Sequence, residues 1–279
     1  MTVTIIGTGL IGCSMAYRLK ETGFASRIIG VDRQSSNLDT AIQLGWIDEA
    51  MKINEAVESC NLVIVAVPVD ATFDLLPLLM DKIGQRVLMD VGSTKKSIGE
   101  MVQEHGNRDR YVATHPMWGT EKSGPGAVVK DAFTGRVAVI CDRERSAPDA
   151  LNTVERLYIA IGMKLVYMDA GVHDMHAAYV SHISHIASYA LSLTVLEKEK
   201  EENTIFELAS GGFESTVRLA KSDPSMWVPI FVQNRENVLD VLNEHIIQLK
   251  KFKTCLEKEN YGYLMELIKK ANMIKRILK

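Results

Sequence analysis

The sequence lacks the marks of several functional classes. Neither charge is in surplus: 32 Lys and Arg stand against 35 Asp and Glu, a formal net charge of -3. No general field attracts nucleic acid or an anionic membrane, so neither is expected as a partner, and an anionic ligand must be met by local positive charge. The four cysteines, Cys13, Cys60, Cys141 and Cys255, lie far apart with no C-x-x-C pair. That spacing argues against a zinc knuckle or a disulfide framework, and they read as reduced, mostly buried thiols. No apolar run approaches the roughly 20 residues that span a bilayer; the longest, Leu62 to Val69, contains Pro68. Met1 leads into an apolar strand without the basic region and long apolar stretch of a secretory signal. A soluble, cytoplasmic protein is the expectation.

What is present is a chain of 279 residues, 47% of them hydrophobic, enough for a sizeable core and two domains of ordinary size. Its first motif is a β-branched strand, Thr2 to Ile6, followed by Gly7-Thr8-Gly9-Leu10-Ile11-Gly12 at the start of an amphipathic helix. In G-x-G-x-x-G the first glycine permits the tight turn, the second lets backbone approach a pyrophosphate, and the third lets helix pack on strand. The helix N-terminus then faces the phosphates. A second strand, Arg27 to Val31, ends at Asp32, about 20 residues beyond the turn, where a carboxylate accepts the adenosine ribose hydroxyls and repels a 2′-phosphate. NAD is therefore favoured over NADP. Arg33 beside it dissents, since an arginine there can take the phosphate or stack on the adenine.

Strands and helices then alternate: a helix near Leu38 to Leu44, strand Leu62 to Val67, helix Ala71 to Lys82, strand Arg86 to Val91 and strand Tyr111 to Ala113. Strands Arg136 to Ile140 and Lys164 to Met168 flank a helix at Ala147 to Ile161. Apolar strands between helices predict a parallel sheet covered on both faces. Ligands of such sheets bind beyond the strands' carboxyl ends, which gathers Val67, Pro68, Ser93 and His115 along one crevice. Ser93 has an alternative reading as the N-cap of the next helix.

The segment Thr114 to Gly124, THPMWGTEKSG, reads as a loop that concentrates an imidazole (His115), a carboxylate (Glu121), an ammonium (Lys122), two hydroxyls (Thr120, Ser123) and an indole (Trp118). Beyond Ala170 no strand is evident, only helices broken at Gly211-Gly212, Asp223-Pro224 and Asn260-Tyr261-Gly262. The expected division is therefore a dinucleotide-binding domain over residues 1–169 and an all-helical domain over 170–279. At 100° per residue His182 and His185 lie about 60° apart with Tyr189 between them, while His173 points to the opposite side. This face suits the cofactor crevice, or core histidines; a metal is not expected, because a third ligand is not evident. Arg218 sits among apolar neighbours, either as a surface ion-pair residue or as a bidentate holder of a carboxylate. Long helices at Val228 to Leu256 and Tyr263 to Leu278 leave apolar stripes that a homodimer would cover.

Taken in order, these motifs resemble the prephenate dehydrogenase family. The pieces are Gly7 to Gly12, Asp90-Val91-Gly92-Ser93-Thr94-Lys95, His115 to Gly124, His173-Asp174, Ser181-His182-Ile183-Ser184-His185, Phe213 to Arg218, and Ser222-Asp223-Pro224 with Trp227. The resemblance implies a Rossmann-type domain joined to a helical dimerisation domain. It also implies NAD-dependent oxidative decarboxylation of prephenate to 4-hydroxyphenylpyruvate, without a metal. It makes His115 the base for the ring hydroxyl, helped by Ser93. Gly7, Gly9, Leu10, Ile11, Gly12, Asp32, Arg33, Val67 and Pro68 would bind the cofactor. His185, His182, Arg218, Glu121 and Thr120 would form the substrate wall, with Glu121 tuning Arg218 or gating entry. Two departures stand out: Ser215 and Val217 replace an acid and a threonine of the family pattern, and Ile183-Ser184 replaces a Leu-Pro pair. Arogenate oxidation is the near alternative. A β-hydroxyacid dehydrogenase or a non-enzymatic NAD sensor is more distant.

Overall fold

The computed structural model describes residues 1–202 and 204–277. Strand β1 (Thr2–Ile6) feeds the glycine turn and α1 (Leu10–Glu21) returns the chain to β2 (Arg27–Val31). There follow α2 (Ser35–Gln43), β3 (Glu49–Ala50), α3 (Ile53–Glu58), β4 (Leu62–Val65), α4 (Val69–Ile83), β5 (Val87–Asp90) and the short α5 (Lys96–Met101). Strand β6 (Tyr111–Pro116), β7 (Val137–Cys141), α6 (Pro148–Ala160) and β8 (Lys164–Met168) complete one eight-stranded sheet in the order β3-β2-β1-β4-β5-β6-β7-β8.

Strand β4 shows why the sheet forms. All four of its residues are buried, and they alternate: Leu62 and Ile64 face a core built on α1 and α6, whereas Val63 and Val65 face a second core built on α3, α4 and α5. A strand covered on both faces loses the usual polar alternation and becomes a continuous apolar run. Fully burying each such side chain contributes about 1.5–3 kcal/mol.

The expected parallel pattern needs correction at one edge. Strands β1 to β6 are parallel, but β7 pairs antiparallel with β6, and β8 then runs parallel to β7. The connection from β6 to β7 carries only a 3-10 turn, Pro125–Ala127, where the crossover between parallel neighbours is usually an α-helix. The same pairing extends β6 to Pro116, with His115 opposite Val139 and Pro116 opposite Ala138. His115 is thus a strand-end residue, and the irregular loop begins after it.

Among the described residues, every regular element after β8 is helical. Helix α7 (Ala170–Ala177) starts on Asp169, whose side chain accepts the amides of Gly171 and Val172. A π-helical turn, Ala178–His182, joins it to α8 (Ile183–Glu202). Next come α9 (Gly211–Val217), α10 (Pro224–Gln233), α11 (Arg235–Glu257) and α12 (Tyr261–Ala271). Asp223 caps α10 through the Ser225 amide, with Pro224 in the first turn. The single long helix expected from Val228 to Leu256 is two, parted at Asn234, whose buried side chain is committed to other partners described below. In the last segment α12 gives way to a 3-10 turn at Asn272–Arg276, and Leu278 lies outside the described residues. Among the described residues no helix is long and apolar enough to cross a membrane.

Candidate active site

The glycine turn is built as its spacing requires. Gly7 has φ +98°, and a Cβ there would lie 2.4 Å from the Ala66 carbonyl oxygen; a Cβ on Gly12 would lie 2.0 Å from the Gly7 carbonyl oxygen. A Cβ on Gly9 would meet nothing within 4 Å. Two glycines are therefore imposed by packing, and the third leaves open space at the N-terminus of α1, where a pyrophosphate can approach the amides. Asp32 is locked beside this turn. Its Oδ2 accepts the Thr8 amide at 2.8 Å and the Thr8 hydroxyl at 2.9 Å, and its Oδ1 accepts the Gln34 amide at 2.9 Å. A carboxylate offers about four lone-pair sites, so Oδ1 keeps acceptor capacity. Arg33 is exposed next to it, and Pro68 is the N-cap residue of α4 at the end of β4.

Three strands along the same edge, His115 closes β6. Its Nδ1 lies 2.9 Å from His173 Nε2, and His173 Nδ1 lies 2.8 Å from Asp174 Oδ1. Burial, followed by the neighbouring His173, Lys95 and His182, holds the His115 imidazole well below the ordinary histidine range. It stays uncharged at neutral pH, the form in which an imidazole accepts a proton.

Beneath it lies a fully buried polar layer. The Lys95 ammonium is paired with Asp90, which also accepts the Tyr111 hydroxyl at 2.7 Å; Thr114 donates to the Asp90 carbonyl and meets the Tyr158 hydroxyl. Ser93, three residues after Asp90, is half-buried, with no hydrogen bond among the described residues. It is not a helix cap, since α5 starts at Lys96 with Lys95 as its cap residue. The carboxylate that accepts the amides of Lys95 and Lys96, at 2.8 and 2.9 Å, is that of Asp174.

The helical half supplies the opposite wall. His182 is buried, and its Nδ1 faces the Asn234 amide nitrogen at 3.2 Å; that nitrogen also donates to the Asp174 carbonyl at 2.6 Å. Burial pushes the His182 imidazole down to about 4. His185 donates through Nδ1 to the Ser181 carbonyl at 3.1 Å and stacks on Trp227, with ring centroids 3.4 Å apart. Burial lowers it as well, and Arg218 adds to the shift. Arg218 Nη1 meets Glu121 Oε2 at 2.8 Å, joining the loop after β6 to the helical half. Backbone and Arg218 hydrogen bonds hold the Glu121 carboxyl below its usual range. Thr120 accepts the Lys122 amide in the same loop.

His173 requires correction: a uniform helical ruler turns it away from His182, yet it meets His115. The π-turn Ala178–His182 stands between the two histidine positions and breaks the ruler, as such turns often do at functional sites. It also ends immediately before Ile183-Ser184, where the family pattern has Leu-Pro. Asp174, Lys95, Asn234 and Trp227 were not singled out as site residues by composition or spacing. The loop's Trp118 belongs to the core instead, edge-on to Phe133 at 5.5 Å. Among the described residues no three His, Cys, Asp or Glu side chains group so as to hold a metal ion.

Fold and site together define a dinucleotide-binding oxidoreductase in which a helical half faces the carboxyl edge of the sheet. Residues 15–167 match the family model for the nucleotide-binding domain of prephenate dehydrogenase, and residues 169–270 that for its dimerization domain. The chain belongs to the prephenate dehydrogenase family. It is 30% identical over 274 residues to a prephenate dehydrogenase of Bacillus subtilis, covering 97% of this chain and 74% of that one. A cyclohexadienyl dehydrogenase of Zymomonas mobilis is 29% identical over 280 residues, covering 99% and 96%. The crystal structure of A. aeolicus prephenate dehydrogenase in complex with hydroxyphenyl propionate and NAD+ matches with a TM-score of 0.91 at 29% identity, covering 100% and 98%.

Proposed function

We propose that this chain is an NAD-dependent prephenate dehydrogenase, carrying out oxidative decarboxylation of prephenate to 4-hydroxyphenylpyruvate. The observation that carries this reading is His115: an imidazole kept neutral at the carboxyl end of β6, on the sheet edge that also bears the glycine turn. The glycine turn fits NAD, because packing fills the Cβ positions of Gly7 and Gly12 while that of Gly9 stays open. Gly7, Gly9, Leu10, Ile11 and Gly12 would cradle the pyrophosphate, Asp32 the ribose, Arg33 the adenine, and Val67 and Pro68 would border the ring end. When bound, NAD supplies the acceptor for the hydride.

His115 accepts the proton of the ring hydroxyl as that carbon becomes a carbonyl, a role worth about 10²–10⁴-fold in rate. Loss of the ring carboxylate as CO2 aromatises the ring and creates a phenolate, to which the same proton returns, so no proton is released overall. Ser93, with no internal partner, helps orient the hydroxyl. Arg218, poised by Glu121, holds a substrate carboxylate, and His185 with His182 and Thr120 forms the remaining substrate wall. The two functional units are residues 1–169 and 170–279, working in the cytoplasm. A homodimer is part of this reading: Leu239, Ile246, Leu249, Leu256, Met265 and Ile268 on α11 and α12 are exposed apolar side chains.

The test is to incubate purified protein with prephenate or arogenate and with NAD or NADP, following absorbance of the reduced cofactor. Turnover with prephenate and NAD is expected. His115→Asn should lower kcat by about 10²-fold or more while sparing NAD binding. No turnover with prephenate, or an unchanged kcat in the variant, would overturn the assignment.

A further inference from the structure

We propose that His173 and Asp174 are positioning residues that fix which ring nitrogen of His115 is bare, and that they do so from the helical half of the chain. The inference rests on the function above only for its kinetic consequence; the protonation pattern stands on hydrogen-bond geometry.

Asp174 is the fixed point. Its Oδ1 accepts the Lys95 amide at 2.8 Å and its Oδ2 the Lys96 amide at 2.9 Å, and both partners can only donate. His173 Nδ1 adds a third contact at 2.8 Å. A carboxyl hydrogen has no place among amide donors, so the group is an ionised acceptor and His173 Nδ1 carries the hydrogen between them. We take His173 in its neutral form, with one N–H, which leaves Nε2 as an acceptor. The atom facing it at 2.9 Å is His115 Nδ1, so that nitrogen must donate. The remaining nitrogen of His115, Nε2, is left with its lone pair. The hydrogen bond made by one ring nitrogen decides the state of the other.

The pair also bears on charge. Once Nε2 has taken a proton, His115 is a cation in a place where burial, His173, Lys95 and His182 all oppose positive charge. Its Nδ1–H then points at His173, behind which stands the Asp174 carboxylate, almost fully buried. No second proton transfer is needed; the existing hydrogen bonds align the ring and lie along the new charge. The arrangement does for His115 what a buried aspartate does for the histidine of a serine-protease triad, where Asp→Asn leaves geometry intact and lowers kcat about 10⁴-fold through the wrong tautomer.

Two variants and one spectrum test this. His173→Ala removes the acceptor that faces His115 Nδ1, so that either tautomer of His115 becomes available. The expected kcat is lower by about 10²–10⁴-fold, with prephenate KM and NAD affinity within about threefold of wild type. His173→Gln leaves the Asp174 contacts to α5 in place and offers its Oε1 to His115 Nδ1–H, so it should retain at least roughly tenfold more kcat than His173→Ala. Nitrogen-15 NMR of the unliganded protein should show the His115 hydrogen on Nδ1 in wild type and shared between both ring nitrogens in His173→Ala. A wild-type hydrogen on Nε2, or equal kcat in the two His173 variants, would overturn the proposal. If His173→Ala fails to fold, the wild-type spectrum still decides. Absence of prephenate turnover would sink the assigned substrate, and the spectrum would still decide the tautomer.

Discussion

Replacing Gly9 and Gly12 separately by alanine should divide cofactor binding from folding. The two residues lie three apart in one turn, yet their surroundings differ. A Cβ on Gly12 would sit 2.0 Å from the Gly7 carbonyl oxygen, where ordinary contact begins at 3.4 Å. Helix α1 must therefore withdraw by about 1.4 Å, the difference of those two distances, or the turn must deform. Either movement disturbs Cys13, Met15, Ala16 and Leu19, which are fully buried against the sheet. Overpacking of this kind costs about 1–3 kcal/mol, and the large overlap places Gly12→Ala at the upper end. For a domain of 150–250 residues, roughly 2–4 °C per kcal/mol converts this to a Tm loss of about 5–10 °C.

Gly9→Ala meets no atom within 4 Å, and its φ of -80° and ψ of -163° suit alanine. Exchange at the N-cap costs only about half a kcal/mol, so its Tm should stay within about 2 °C of wild type. NAD, however, must share that space with the new methyl group, and Kd should rise about tenfold or more, equivalent to about 1.4 kcal/mol. Thermal unfolding and calorimetric titration with NAD read the two quantities separately. An equal Tm loss in both variants, or wild-type NAD affinity in Gly9→Ala, would refute the reasoning.

Two further outcomes are expected. Arg218→Ala should raise prephenate KM by roughly tenfold or more with a smaller change in kcat, since a charged hydrogen bond is worth about 1.5–3 kcal/mol; unaltered steady-state KM would return Arg218 to a purely structural contact with Glu121. Acid should weaken the fold through His182, whose imidazole lies near 4 in the folded protein against about 6.5 when unfolded. Both states are neutral above pH 6.5. As pH falls below that value the unfolded chain takes the proton first, so stability declines until about pH 4, by about 3 kcal/mol in all. Urea unfolding between pH 7 and 4 should show a shallower decline in His182→Gln, and an unchanged slope would refute the assignment.

The dinucleotide half was legible because each device there is local. Turn, helix start and carboxylate lie within one βαβ unit, and the apolar runs of β1, β4 and β5 have no other reading. Strand β3, two residues long, carries no pattern to read. The reversal of β7 depends on pairing across the sheet and on the missing crossover helix, neither of which a strand's own residues report. In the helical half, His182 and His185 both meet Trp227, because the interval between them lies at the start of regular helix α8. His173 lies across the π-turn, where counting residues ceases to measure angle. Lys95 and Trp227 were hidden for another reason: an ammonium pairs with a buried aspartate, and an indole stacks on an imidazole, only after distant segments meet.

The junction of α5 with α7 has a mechanical consequence. Asp174 holds the start of α5, the His173 ring and, through its carbonyl, Asn234 of the segment between α10 and α11. The side chains of Asp174, His173, Lys95 and Asn234 are almost fully buried there, whereas the Arg218–Glu121 pair spans the rim with half of the arginine side chain in solvent. Parting the two halves at the first place breaks several buried bonds at once; at the second it breaks one screened contact. Whatever admits a substrate should therefore lift the rim and leave the pin seated, so that the jaw opens about the residues that hold its base in line.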